Sequence, residues 1–385
     1  MTGFTREEIE ARGHPVWAEV DLSAIRHNIR LLDRTAAEAE VMGVVKGYAY
    51  GHGNPACAQA MLEAGATRLG VARVAEALHL REAGVKAPIH VFTEPPPSAV
   101  NALVANDLTA TVYTAEFAEA LSEGATKAGR RVPVHLKLDT GMHRVGLLAE
   151  DLESALGTLG SLTGIEIEGV WSHLAVADIP DHPFTRKQLD LFDELTRRIE
   201  RAGIEIRYRH IANSAATLSL PEAHLDLVRC GIASYGLVPG AAFQGKHDLR
   251  PALSLRARIT MVKEVPSGER LSYGLKYEVT EPGRVATVAA GYADGYDRRL
   301  SGQADVLIGS RPYRVSGVVC MDQFMVDVGD EPVEVGQVVT LIGRDGDATV
   351  TADALADRIG TINYEVTSRI PSRVPRIYVE GASDG

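Results

Sequence analysis

Only three cysteines occur among the 385 residues, and Cys57, Cys230 and Cys320 are far apart, odd in number and free of any C-x-x-C spacing. That count and spacing suggest neither a disulfide framework nor a zinc site, so no metal is expected and a reducing compartment fits. Net positive charge is missing too. With 51 acidic against 40 basic side chains the formal charge is −11, which gives no general pull toward nucleic acid or an anionic membrane, and neither is expected as a partner. Nowhere do about eighteen apolar residues run together. The opening MTGFTREEIEARGHP is charged and lacks the apolar core of a secretory signal. Low-complexity segments, heptad arrays and short repeats are absent as well, and the expectation is a soluble, cytoplasmic protein.

What the sequence does have is ordinary globular composition, 45% hydrophobic and 24% charged, over a length sufficient for two domains. From residue 16 to about 230, β-rich runs alternate with longer amphipathic stretches: VWAEV, EVMGVVK, RLGVA, PIHVF, ATVY, VHLKLD, IEGVWSH and YRHIAN. Between them lie helical candidates such as DLSAIRHNIRLLDRTAAEA and PFTRKQLDLFDELTRRIERAG, whose apolar residues recur at three- and four-residue steps. Eight such units suit an α/β fold with an N-terminal (β/α)8 TIM-type barrel over residues 1–245. After GAAFQGKHDLRP the runs LSLRARITMVKEV, RVATVAAGY, DVLIGSRPYRVSGVV and QVVTLIG are strand-like with few helices between them. A C-terminal, mostly-β domain over 246–385 is expected. One late helix is predicted at TADALADRIG, with Thr351 as N-cap and Gly360 as the stop.

In a barrel, reactive side chains collect where strands end. Lys46 closes VMGVVK, Lys137 and Asp139 close VHLKLD, His173 closes IEGVWSH, and Asn213 with Ser214 follow YRHIAN. A lysine at such a rim is either a snorkelling side chain or a desolvated amine able to condense with a carbonyl. The sequel GYAYGHG favours a ligand nearby, because glycines let backbone approach closely and Tyr50 supplies a hydroxyl able to reach a phosphate. In KLDTGMHRVG, residues 137–146, the planar fork of Arg144 suits a carboxylate or phosphate, with a surface salt bridge as the alternative. Lys137 sits inside a strand pattern, where a buried ammonium needs a partner or a modification. Downstream, Asn213 and Ser214 at a helix start, and Arg229, Gly231 and Ile232 near a glycine turn, could together cradle an anion. LSYGLKY, GYADGY and VVCMDQFMVDV are dense in Tyr, Gly and Asp, with Tyr273, Tyr292 and Asp322 the polar members of note.

Taken in order, AEVDLSAIRHNI, VVKGYAYGHG, KLDTGMHRVG, WSHLAVAD, NSAATL, VRCGIASYGL, SYG, GYADGY, VCMDQFMVDV and INYEVTSRIPSRVPRIY resemble the alanine racemases, fold-type III pyridoxal-phosphate enzymes, over nearly the whole chain. The resemblance implies a homodimer whose barrel binds pyridoxal 5'-phosphate and whose β domain contributes to the partner's active site. It implies that Lys46 carries the cofactor aldehyde; that Tyr50, Ser214, Gly231, Ile232 and Tyr364 hold the phosphate beside Asn213; and that Arg229 faces the pyridine nitrogen, with His173 beside the ring. Lys46 and Tyr273, the latter from the other subunit, would be the two catalytic bases that interconvert L- and D-alanine. Arg144 and the N–H of Met321 would meet the substrate carboxylate, Tyr292 and Tyr364 would narrow the entrance, and Lys137 would carry a carbamate. The implied role is to supply D-alanine for peptidoglycan. Two departures from the family pattern stand out. Gly47 and Tyr48 replace commoner residues after the lysine, and TSRIPSRVPR follows NYEV. The first leaves a racemase of serine or another small amino acid as the alternative.

Overall fold

The first β-rich run does not join the barrel. VWAEV, expected as a barrel strand, forms β1 (Val16–Asp21), which pairs antiparallel with Leu253–Val265 and parallel with Arg376–Val379. Its first five residues are all buried, and a strand covered on both faces carries no period that names its partners. Buried among them, Glu19 is held by Trp17 Nε1 at 3.1 Å, by Arg256 Nε at 3.3 Å and by Arg6 Nη2 at 3.0 Å. These donors compensate a carboxylate taken out of water.

The computed structural model describes residues 3–381, and the chain divides into two compact units. The larger comprises Ile25–Ala49 and Cys57–Arg250. In it β2 (Glu40–Val44), β3 (Arg68–Val71), β4 (Ile89–Val91), β5 (Leu108–Val112), β6 (Val132–Lys137), β7 (Ile165–Trp171) and β8 (Tyr208–His210) run parallel, each pairing with the next. The missing eighth strand is β9 (Leu227–Cys230), from the stretch expected to carry only the anion cradle; it lies parallel to β2 with Arg229 opposite Met42. On its other side Asp226 N–H and Arg229 N–H donate to Arg209 O and Ala212 O at 3.2 and 3.1 Å. The unit is thus a nearly closed eight-stranded (β/α)8 barrel.

The helices follow the spacing of their apolar residues. Leu22–Ala36 buries Ile25, Ile29, Leu32 and Ala36, and its start is capped by Asp21 Oδ1, which accepts from Ser23 N and Ala24 N at 2.8 and 3.1 Å. Pro183–Arg201 buries Phe192, Leu195 and Ile199, with proline at its first turn. Each fully buried leucine, isoleucine or phenylalanine contributes about 1.5–3 kcal/mol.

The second unit comprises Met1–Ala24, Tyr50–Ala56 and Pro251–Gly385 within the described residues. It is mostly β. Leu253–Val265 is its spine, pairing with β1, Gly283–Val288 and Val338–Asp345. Asp305–Ile308 and Arg311–Arg314 form a hairpin whose two turn residues, Gly309 and Ser310, both have positive φ, as a tight hairpin turn requires. The predicted late helix is Ala352–Ile359, where Thr351 Oγ1 accepts from Ala354 N and Gly360 ends it at φ +67°.

One short loop of this unit is bolted in place. Arg376, buried, donates from Nε and Nη2 to Gly51 O at 3.0 and 2.7 Å and from Nη2 to Ile370 O at 2.7 Å. Gly51 has φ +90°, and a Cβ there would lie 2.0 Å from Thr367 O. Gly51→Ala therefore meets both backbone strain and a collision with main chain, and a loss of about 3 kcal/mol or more is expected, read as a lower denaturation midpoint at unchanged m.

Candidate active site

At the end of β2 the backbone turns the wrong way. Gly47, Tyr48 and Ala49 have φ/ψ of 62/43°, 55/46° and 53/50°, and Tyr50 continues with φ 53°, so the residues after Lys46 form one left-handed turn. Left-handed helical backbone costs an L-residue about 1–2 kcal/mol each. Glu76 offsets part of this: its carboxylate accepts from Gly47 N at 2.7 Å and from Ala72 N and Arg73 N at 2.8 and 3.0 Å. The consequence is a fixed launch point for Lys46, which is reached by solvent yet sits deep enough that desolvation, with Arg144 and Arg229 nearby, lowers its pKa against the opposing pull of Glu76.

Arg229 is buried and carries no carboxylate partner among the described residues. Nη1 donates to His210 O and Nδ1 at 3.0 and 3.1 Å, and Nη2 donates to Ser172 O, Ile211 O and His173 Nδ1 at 2.9, 3.1 and 3.1 Å. Its guanidinium also lies 5.0 Å from the Trp171 ring centroid. Burial pushes its pKa down to about 9, still protonated at neutral pH. Desolvation, then Arg229, Arg144, Lys46 and Lys137, hold the His173 pKa well below its usual value, so that ring is neutral. Arginine can only donate, so His173 Nδ1 is the acceptor and its proton lies on Nε2.

Lys137, at the end of β6, is buried, donates to Leu138 O at 2.6 Å and lies 5.2 Å from the Trp171 ring centroid. Burial first, then Arg229 and Arg144 against the pull of Asp139, lowers its pKa to about 7. Arg144 is exposed in the following loop and has no ion pair among the described residues, so the surface salt bridge considered from sequence is not what holds it. Asp139 shapes that loop, accepting from Gly141 N and His143 N at 2.9 and 3.1 Å.

Across the barrel, Ser214 Oγ accepts from Gly231 N at 2.9 Å and Ala233 N at 3.4 Å, gathering the backbone donors around Ile232 beside the start of Ser214–Ser219. Asn213 caps that helix, its Oδ1 accepting from Ala216 N at 3.1 Å. The remaining expected site residues belong to the β unit. There the Tyr50 and Tyr364 rings lie 6.1 Å apart. Tyr273, Met321 and Tyr292 are 71%, 53% and 41% exposed. Their segments meet at residues 318–321: Ser272 Oγ donates to Val318 O at 2.9 Å, and Tyr292 N and Ala293 N donate to Cys320 O and Met321 O at 3.1 and 3.0 Å. Asp322 is taken by Arg373 at 2.7 Å, and the same guanidinium holds Asp294, so residues of the SRVPR stretch brace this surface.

The sequence matches the family model for the alanine racemase N-terminal domain over residues 20–239 and that for the C-terminal domain over 252–378. The chain belongs to the alanine racemase family. The alanine racemase of Carboxydothermus hydrogenoformans is 45% identical over 367 residues, covering 95% of this chain and all of the other. The solved alanine racemase of Streptomyces coelicolor superposes with a TM-score of 0.92 at 40% identity, covering 95% and 98% of the two chains. A histidine racemase of Leuconostoc mesenteroides shares the fold at TM-score 0.88 and 30% identity, covering 95% and 98%. Membership of the alanine racemases makes the chain an isomerase. Nothing in the sequence marks Glu76, His135 or His210; the last two stand inside apolar strand patterns, and only their neighbours in the folded barrel reveal them.

Proposed function

We propose that the chain interconverts L- and D-alanine with bound pyridoxal 5'-phosphate, as a cytoplasmic homodimer supplying D-alanine for peptidoglycan. The observation that carries this reading is Lys46: an amine of lowered pKa at a barrel-strand end, launched from a clamped left-handed turn toward Arg144 and Arg229. The residues fit the cofactor. The backbone donors gathered on Ser214 Oγ suit a phosphate, to which the family resemblance would add the Tyr50 and Tyr364 hydroxyls, and Arg229, a cation without a carboxylate, suits a neutral pyridine nitrogen. When bound, pyridoxal phosphate supplies an electron sink that acidifies the α-carbon of the amino acid.

Inverting a stereocentre needs a proton acceptor on each face. Lys46 serves one face, and Tyr273 of the partner subunit serves the other. Arg144 receives the substrate carboxylate in its planar fork and Met321 N–H of the partner adds a donor, which fixes the α-carbon between the two bases. Arg229, a cation at neutral pH, would face the ring nitrogen and disfavour its protonation, which would limit delocalisation and favour return of the proton over side reactions. Tyr292 and Tyr364 narrow the entrance toward a methyl-sized side chain. A panel of alanine, serine, lysine, arginine and histidine, read by chiral chromatography, tests this; a higher kcat/KM for any amino acid but alanine overturns the substrate assignment. Serine is the second reading, because Tyr48 adds a half-buried phenol two residues after Lys46.

Lys137 is proposed to carry a carbamate. Its neutral amine attacks carbon dioxide, forming N–CO2⁻ and releasing one proton, and the cations that penalise an ammonium there favour the anion. Without modification, a lysine whose pKa is about 7 folded and 10.5 unfolded binds fewer protons in the folded state between those values. Its contribution therefore becomes more favourable as pH rises from about 7 to 10.5 and is least favourable below 7. Bicarbonate is expected to raise the melting temperature of the wild type at pH 7–8 and to leave Lys137→Met unmoved.

A further inference from the structure

Behind Arg229 the hydrogen bonding does not stop at His210. His210 Nε2 lies 2.7 Å from His135 Nδ1, and His135 Nε2 lies 3.1 Å from Glu168 Oε2. The Glu168 carboxylate also meets Arg68 Nη1 at 3.5 Å. Both histidine rings are fully buried, whereas the Glu168 side chain is 18% exposed. His135 and His210 come from β6 and β8, which are not neighbours in the sheet, so their rings can meet only inside the barrel, where alternate strands fill one layer.

The chemistry of the donors leaves one proton arrangement. Arg229 only donates, so His210 Nδ1 must accept and its proton must lie on Nε2. That N–H donates to His135 Nδ1, so the proton of His135 lies on Nε2 and needs an acceptor. An ionised carboxylate, which only accepts, is the group the fold provides there. Burial lowers the pKa of both histidines, at His135 against the opposing hydrogen bond and charge of Glu168, consistent with one proton per ring. Burial would raise the Glu168 pKa, but the His135 N–H and the Arg68 guanidinium hold it below the usual value.

The backbone is built around this contact. Where β6 pairs with β7, Val134 faces Ile167 but His135 faces Gly169, so Glu168 is the extra residue of a β-bulge, a device that re-aims a side chain. Gly169 makes room for the imidazole: a Cβ there would lie 2.9 Å from His135 Cε1 and Nδ1. The rings of His90, His135 and His210 also bring one nitrogen each within 4.8 Å of one another. Five of the six ring nitrogens are engaged, His90 Nε2 with Thr111 Oγ1 at 2.9 Å, and Arg229 stands against the group. A divalent cation would add charge beside a buried guanidinium with no carboxylate of its own.

We propose that Glu168 is a positioning residue for racemisation, acting through His135 and His210 to fix the orientation of Arg229. The proposal rests on the racemase reading above. Every N–H in the series points from the guanidinium to the carboxylate, so the aligned dipoles couple the buried cation to an anion it does not touch. Removing the acceptor strands the buried His135 Nε2–H and weakens its tautomer preference, which loosens the His210 ring and with it one of the five hydrogen bonds that orient Arg229.

The test uses holoenzyme labelled with 15N-histidine, in which two-bond proton–nitrogen spectra separate the tautomers, together with steady-state kinetics on alanine and metal analysis. The wild type and Glu168→Gln, whose amide oxygen still accepts, are expected to hold the protons of His135 and His210 on Nε2. Glu168→Leu is expected to lose that preference at His135 and to show kcat lowered about tenfold, the scale on which outer-shell partners act, with KM little changed. Nδ1–H at His135 in the wild type overturns the proposal, whether or not the leucine variant folds. So does wild-type kcat with unchanged tautomers in Glu168→Leu, or a stoichiometric metal held by the three rings. Failure of the racemase reading registers instead as wild-type inactivity toward alanine, on which the tautomer spectra do not depend.

Discussion

Lys46→Ala is expected to lower kcat/KM for alanine by more than about 10⁴-fold, the upper scale for loss of one general base, because the same residue is also proposed to hold the cofactor covalently. The visible absorbance of the bound cofactor should be displaced or lost with it. The barrel itself should fold, since Lys46 stands open to solvent at a strand end and its neighbours in the core, Val44 and Val45, are untouched. Far-ultraviolet circular dichroism and a thermal melt check that point. Racemisation within tenfold of wild type would remove Lys46 from the mechanism.

Tyr273→Phe is the second large effect, about 10²–10⁴-fold in kcat, the range for one acid–base group. The deletion removes a single oxygen from a side chain that is 71% exposed, so stability should move by less than about 0.5 kcal/mol. Cofactor absorbance should remain, in contrast to Lys46→Ala. The two variants should also differ in exchange. A base confined to one face predicts that Tyr273→Phe still exchanges the α-hydrogen of one alanine enantiomer with solvent deuterium while racemisation is lost. Loss of exchange from both enantiomers would argue that Tyr273 shapes the site rather than serving one face. Mixing Lys46→Ala with Tyr273→Phe tests the dimer: if Tyr273 acts on the partner's barrel, mixed dimers hold one intact site, and activity should return above that of either variant alone.

Both predictions concern residues whose chemistry could be read from their place in the chain. Lys46 ends an apolar run, and a rim lysine followed by GYAYGHG already asks for a ligand. Amphipathic spacing likewise specified Leu22–Ala36 and Pro183–Arg201, because the burial of one helical face is local to the helix. Thr351 and Gly360 marked the ends of Ala352–Ile359 because capping, too, involves only neighbours in sequence.

The misplaced strand has the opposite origin. VWAEV looks like a barrel strand because all five residues are buried, and two-sided burial is common to both sheets; its partners lie more than two hundred residues away. LVRC is as silent about its partners: only closure of the barrel against β2 and residues 209–212 makes it the eighth strand. Glu76 is one exposed-looking acid among many until the turn after Lys46 brings Gly47 N–H to it.

By itself, then, the sequence determined residue chemistry, local conformation and the family, since each depends on side-chain type, short-range spacing or ordered motifs. Tertiary structure alone decided which strands close the barrel, that the chain after Lys46 turns left-handed, and that Arg229, His210, His135 and Glu168 share one line of hydrogen bonds. Those depend on register between distant strands. A bulge of one residue at Glu168 and a missing side chain at Gly169 set that register, and neither announces its partner in the order of the residues.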